Sequence, residues 1–147
     1  MTGLFIDTGG WMACADAADP ACLRARAARD RALERGQLLV TTDYVMDETL
    51  TLVRVRLGLA AAEVWWAQVQ ASSRLRTEWI GAPRAEKARH LFFRHRDKDF
   101  SFTDCTSFVV MQELRLRQVL TTDAHFRQVG FDSLPGTPQR RMSRKPR

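Results

Sequence analysis

The chain has 147 residues, 45% of them apolar, which suits one domain with a core of its own and no need of disulfide or metal staples. No run approaches the roughly 18 uninterrupted apolar residues of a membrane helix, and the opening MTGLFID lacks the basic and apolar regions of a secretory signal. The net charge of +6 points towards nucleic acid, but Arg140, Arg141, Arg144, Lys145 and Arg147 supply five of those charges and leave +1 for the rest.

Residues 1–136 therefore read as one nearly neutral domain. Residues 137–147 read as a basic, disordered tail able to touch RNA phosphates. In chain order, GLFID (3–7) is a short buried strand and Gly9-Gly10 the turn after it. Residues 19–35 open on Asp-Pro, are filled with Ala, Arg and Leu, and stop at Gly36, which predicts a helix. QLLVTT (37–42) is a second buried strand. DYVMDETLTLVRVRLG (43–58) contains the strand-like alternation VRVRL. Its acidic first turns, its length and the stop at Gly58 favour a helix with Asp43 as a cap. Residues 60–72 continue as helix, LRTEWI (75–80) as strand, and 84–95 as an amphipathic helix with Ala85, Ala88, Leu91 and Phe92 on one face. Residues 103–116 form a largely buried helix, QVLTT (118–122) a short buried strand, and FDSLPG (131–136) an edge strand. Alternating helices and apolar strands mean an α/β fold with a parallel sheet covered on both faces. Cys14, Cys22 and Cys105 are an odd number without metal-ligand spacing and read as free thiols of a reducing cytoplasm.

Ligands of such sheets bind outside the carboxyl ends of the strands. Asp7 closes the first strand and Asp123 follows QVLTT, so both fall at that edge. Asp104 begins the helix before QVLTT, and the 19 residues from Asp104 to Asp123 allow one path out and back. Glu48 lies a turn into the helix after LLVTT, at the same edge. Each acid has a plain structural reading. Asp7 and Asp123 could cap, Ser101 and Asp104 fit a capping box, and Glu48 could be solvated helix surface. Their joint placement is what needs a cation, because clustered carboxylates repel. Mg²⁺, a hard ion that takes oxygen ligands and keeps waters, fits, and phosphodiester hydrolysis is the chemistry that uses it.

FIDTGGW, TTDYVMDETLTL, SFTDCTSFVVM and LTTDAHFRQVGF resemble the four acidic motifs of PIN-domain proteins, most closely the VapC-type toxins of bacterial toxin–antitoxin pairs. The resemblance runs from residue 3 to about 131. It implies a three-layer α/β/α sandwich with a mostly parallel sheet of about five strands. It also implies a cytoplasmic, Mg²⁺-dependent endoribonuclease, with Mn²⁺ as a substitute ion. Such an enzyme hydrolyses tRNA or rRNA with a metal-activated water and leaves 5′-phosphate and 3′-hydroxyl ends. A homodimer neutralised by a small antitoxin peptide is implied as well. Carried over by position, Asp7, Glu48, Asp104 and Asp123 are the catalytic and metal-binding quartet, with Asp7 and Asp104 as the central ligands. Thr8, Ser101, Thr103 and Thr122 support them. Gly9, Gly10 and Trp11 depart from the Ser or Asn and small apolar residue usual after the first Asp-Thr, which bears on substrate contact by that loop.

The residues alone are also compatible with two other functions. One is a catalytically silent PIN module that binds RNA or a protein. The other is a phosphatase with Asp7 as nucleophile, although Gly9 stands where its general acid would be. His90, His95 and His125 have no partner at ligand spacing and read as surface or groove residues. Trp65-Trp66 reads as core or dimer contact, and the apolar pair of helices at 44–72 as core, dimer surface or antitoxin seat. Arg84, Lys87, Arg89, Arg94 and Arg96 make one helix basic, a solvated face or a steering surface for RNA.

Overall fold

The computed structural model describes residues 2–136; the expected tail, 137–147, lies outside them. Five strands form one parallel sheet: β1 (Gly3–Ile6), β2 (Leu38–Thr42), β3 (Leu75–Glu78), β4 (Gln118–Leu120) and β5 (Asp132–Leu134), in the order β3-β2-β1-β4-β5. The helices are α1 (Thr8–Ala15), α2 (Cys22–Glu34), α3 (Asp43–Leu57), α4 (Leu59–Ala71), α5 (Gly81–Arg94), α6 (Phe102–Glu113) and α7 (His125–Gln128). Crossovers between parallel strands are right-handed in nearly all proteins. With this strand order, α1 to α4 cover one face and α5 to α7 the other, giving the expected three-layer α/β/α sandwich. β1 is buried at all four positions, as a central parallel strand covered on both faces must be.

From β1 the chain steps to β2 and β3 on one side, then crosses to β4 and β5 on the other. The direction reverses between β1 and β4, and the crevice above their carboxyl ends is the switch point of the sheet. Ile6 pairs with Leu120 in that register, so Asp7 and Thr121 come next to each other where the strands end.

Three local expectations change. Gly9-Gly10 is not a turn. Asp7, in extended conformation, caps α1, and its Oδ1 accepts from Gly10 N–H at 2.8 Å. Glycine disfavours helices; here packing overrides propensity, because α1 starts flush against the end of β4. A Cβ on Gly10 would lie 2.1 Å from the Leu120 carbonyl oxygen, and one on Gly9 would lie 2.8 Å from Thr122 Oγ1. Trp11 then turns into the core, meeting Trp65 edge to face at 5.7 Å and donating from Nε1 to Thr41 Oγ1. The residues that depart from the family pattern thus serve close packing. The second helix begins at Cys22, not at Asp19, whose Oδ1 accepts from Ala21 N–H in the turn before it. α3 is capped by Thr42, not Asp43. Thr42 Oγ1 accepts from Val45 N–H, while Asp43 Oδ1 accepts from Ile80 N–H.

Phe126 of α7 is fully buried and packs edge to face on Phe108, ring centroids 5.1 Å apart, with Phe5 and Phe131 beyond. Such aromatic pairs add about 0.5–1.5 kcal/mol each beyond their burial. They clamp the segment after β4 to the core. Cys14, Cys22 and Cys105 are all buried and free, as expected.

The two glycines should respond differently to a methyl group. Gly10→Ala faces backbone that cannot yield and should lose about 3 kcal/mol of stability or fail to fold, whereas Gly9→Ala displaces one hydroxyl and should lose about 1 kcal/mol. Urea unfolding of both variants measures this; equal losses would contradict the packing described.

Candidate active site

A hollow of about 220 Å³ opens above the switch point, and Asp7, Glu48, Asp104 and Asp123 all line it, with Thr8, Thr103, Thr122 and Ser107 between them. The four acids named from the sequence therefore meet. Each arrives on a different element: Asp7 at the end of β1, Glu48 on α3, Asp104 in the first turn of α6 and Asp123 in the loop after β4.

Hydrogen bonds fix the acids in a continuous chain. Asp7 is 5% exposed, and its Oδ2 accepts from Thr121 Oγ1 at 2.7 Å. Thr121 Oγ1 accepts in turn from Asp123 N–H, and Asp123 Oδ1 accepts from His125 N–H at 2.9 Å. His125 Nδ1 lies 2.8 Å from Asp104 Oδ2, where an Nδ1–H is the donor that an ionised carboxylate accepts. The same Oδ2 accepts from Ser101 N–H, and Ser101 Oγ accepts from Asp104 N–H, which completes a capping box. Asp104 is at once the capping acid and a wall of the hollow, so its structural and functional readings do not compete. Its Oδ2 already has two donors, which leaves Oδ1 for the hollow.

The electrostatics follow from this crowding. Burial pushes the Asp7 pKa up to about 8. The Gly10 N–H and Thr121 hydroxyl oppose that rise, and the charges of Asp123 and Asp104 add to it. Glu48 is also raised, first by burial, against the pull of its hydrogen bond with Thr103, and then by the neighbouring Asp104 and Asp123. Asp123 is raised by burial and by Asp104, with the His125 N–H acting the other way. One site thus holds several carboxyls that resist ionisation together.

A cation fits this site on two grounds. Asp104, Asp123 and His125 each offer a ligand atom, all within 4.8 Å of one another. Asp7 and Glu48 stand outside that tight group, on the wall of the same hollow. Secondly, Thr8 Oγ1 and Ser107 Oγ are buried without a hydrogen-bond partner and line the hollow. Orphaned buried hydroxyls cost free energy unless something fills the space beside them.

Sequence reasoning missed three residues. His125, read as a surface or groove residue without a role, bridges two of the acids; its position two residues after Asp123 was the available signal. Thr121, not its neighbour Thr122, holds Asp7. Ser107 lies three residues after Asp104, hence on the same face of α6. His90 and His95 stay apart from the site: His90 faces Glu86 at 3.4 Å and His95 meets Phe100 edge to face. Trp65 is core, while Trp66 is 40% exposed. On α5, Arg84 pairs with Glu78 and Glu113, Lys87 with Glu113 and Arg89 with Glu86, which leaves less net charge there than the sequence suggests.

The family model described as the PIN domain matches residues 4–132. The 23S rRNA-specific endonuclease VapC20 of Mycobacterium tuberculosis, from strains CDC 1551 / Oshkosh and ATCC 25618 / H37Rv, is 32% identical over 128 residues, which is 87% of this chain and 95% of that protein. The crystal structure of M. tuberculosis VapC20, described as a sarcin–ricin loop cleaving toxin, superposes with a TM-score of 0.79. Its sequence identity is 30%, over 88% of this chain and 97% of that one.

The raised Asp7 pKa makes stability depend on pH. The unfolded carboxyl titrates near 3.8 and the folded, metal-free one near 8. The stability its protonation confers is complete below about 3.8 and is lost as pH rises through 8. Asp7→Asn removes that loss. In EDTA the variant should melt about 3 °C or more above wild type at pH 8, roughly the effect of 1 kcal/mol in a chain of this size. The gap should narrow towards pH 5; a gap independent of pH would contradict the burial of an acid at this position.

Proposed function

The chain belongs to the PIN-domain family, and from that premise we propose that it is a metal-dependent endoribonuclease, the toxin of a toxin–antitoxin pair. The observation that carries this reading is the meeting of Asp7, Glu48, Asp104 and Asp123 on one hollow at the switch point of the sheet. It gains weight from the 32% identity to a relative named as a 23S rRNA-specific endonuclease. Structured rRNA is accordingly the substrate class, with a sarcin–ricin hairpin as the first RNA to try and tRNA as the second.

Asp104 and Asp123, with Asp7 and Glu48 beside them, would hold Mg²⁺ or, in its place, Mn²⁺. Carboxylate oxygens suit a hard ion that keeps several of its waters. When bound, the ion supplies Lewis acidity that acidifies a water and offsets the charge on the scissile phosphate. The side chains supply order. Thr121 and Gly10 hold the Asp7 carboxyl from two sides, so it meets its ligand without rearranging. His125 and Ser101 fix Asp104 by one oxygen and leave the other for the site. Glu48, on the open side and steadied by Thr103, orients the attacking water, and Asp123 assists. The hydroxyls of Thr8 and Ser107 take up hydrogen bonds from water or phosphate in the hollow. The products carry 5′-phosphate and 3′-hydroxyl ends.

The cellular setting belongs to the same proposal. Three buried free thiols suit a reducing cytoplasm, and among the described residues no helix is long and apolar enough to cross a membrane. A second copy of the chain and a cognate antitoxin peptide are its protein partners. Val55, Leu59 and Trp66 give such partners an exposed apolar face on α3 and α4.

The direct test compares cleavage of rRNA by wild type, Asp7→Asn and Asp104→Asn. Wild type should cut with Mg²⁺ or Mn²⁺ and stop in EDTA, and each variant should lose at least about 100-fold. Equal activity in all three would contradict the mechanism. Binding by wild type without cleavage in either metal would leave the silent RNA-binding module standing instead.

A further inference from the structure

A second hollow, of about 200 Å³, adjoins the first, and Thr122 and Asp123 line both. Its other walls include Arg24 from α2, Arg127 from α7 and Ser133 from β5. We propose that this hollow is a subsite for the RNA phosphate next to the one being cut, held by Arg24 and Arg127. The proposal rests on the ribonuclease reading and adds to it the course of the strand beside the metal-binding acids.

Three observations converge here. The first is free positive charge. Among the described residues neither Arg24 nor Arg127 forms an ion pair, whereas Arg84, Lys87 and Arg89 on α5 are matched to glutamates. Arg24 Nη1 donates to the Gly136 carbonyl at 3.0 Å, which fixes the guanidinium and leaves its other N–H groups to donate. The second is an unmet hydrogen bond: Ser133 Oγ is buried without a partner and lines this same hollow. The third is position. A site of four acids repels a polyanion, and the metal offsets that repulsion only at the scissile phosphate. Two guanidiniums lining the adjoining hollow attract the strand and set its register, with the planar forks that suit phosphate oxygens. Both arginines lie on the protein surface, so Gln at either position leaves the core untouched.

The test uses a fluorescent RNA hairpin carrying the sarcin–ricin loop, bound in EDTA so that no cleavage occurs, at NaCl from about 50 to 200 mM. The double variant Arg24→Gln/Arg127→Gln should bind about 10-fold more weakly at the low-salt end. Its log–log salt slope should be shallower by about 0.7, the share of one phosphate contact to a single strand. Arg24→Lys/Arg127→Lys should keep most of that slope. With Mg²⁺, the Gln variant should show a raised KM and a kcat within about 3-fold of wild type, because the interaction serves binding and not the chemical step. A single methylphosphonate beside the cut should weaken wild type and leave the Gln variant unaffected. Unchanged affinity and slope in a Gln variant that still cleaves would overturn the subsite and leave the ribonuclease reading in place. A wild type that neither binds nor cleaves the hairpin or tRNA would overturn both.

Discussion

The fold brings carboxyl groups together where they cannot all be ionised. The reversal of strand order between β1 and β4 opens a crevice, and Asp7 and Asp123 follow those two strands into it. Asp104 reaches it from the N-terminus of α6, which occupies the same edge because each helix carries the chain back across the sheet. The outcome is an acid, Asp7, that burial and two like charges hold near pKa 8, fixed by Gly10 and Thr121 and unable to turn towards solvent. A surface loop would relieve such crowding by moving. Here the Phe126 anchor and the packing of α1 against β4 prevent it.

The same bonds serve folding and site assembly. Asp7 caps α1, Asp104 closes a capping box on α6, and Thr121 joins the ends of β1 and β4. This double use explains how the fold keeps its acids in place without a disulfide. The helix termini that need acceptors for their free N–H groups are the termini that bring the carboxylates to the crevice. The arrangement lowers metal-free stability at neutral pH, a cost often found where a site needs groups held against their preference.

Much of this was legible in the sequence. Apolar strands alternating with helices give the parallel sheet, and that topology places Asp7, Glu48, Asp104 and Asp123 at one edge without any knowledge of contacts. What was not legible depends on distances between remote segments. Gly9-Gly10 reads as a turn because glycine disfavours helices; only the approach of the Leu120 carbonyl shows why a helix must begin there without side chains. His125 reads as a surface or groove histidine with no partner until α7 places its ring against Asp104. Thr121 and Thr122 are adjacent and alike, and only the register of β4 against β1 decides which meets Asp7. The basic helix α5 misled in the opposite sense, because the partners of Arg84 and Lys87 include Glu113, far away in sequence.

The central claim is that a divalent ion makes this carboxyl cluster tolerable by displacing a proton from it. Proton release on adding Mn²⁺ at pH 7 tests it most directly, read by calorimetry in two buffers of different ionisation enthalpy. The account predicts that about one proton leaves per ion bound in wild type and far fewer in Asp7→Asn. Metal binding with no proton release, or release equal in both proteins, would contradict it.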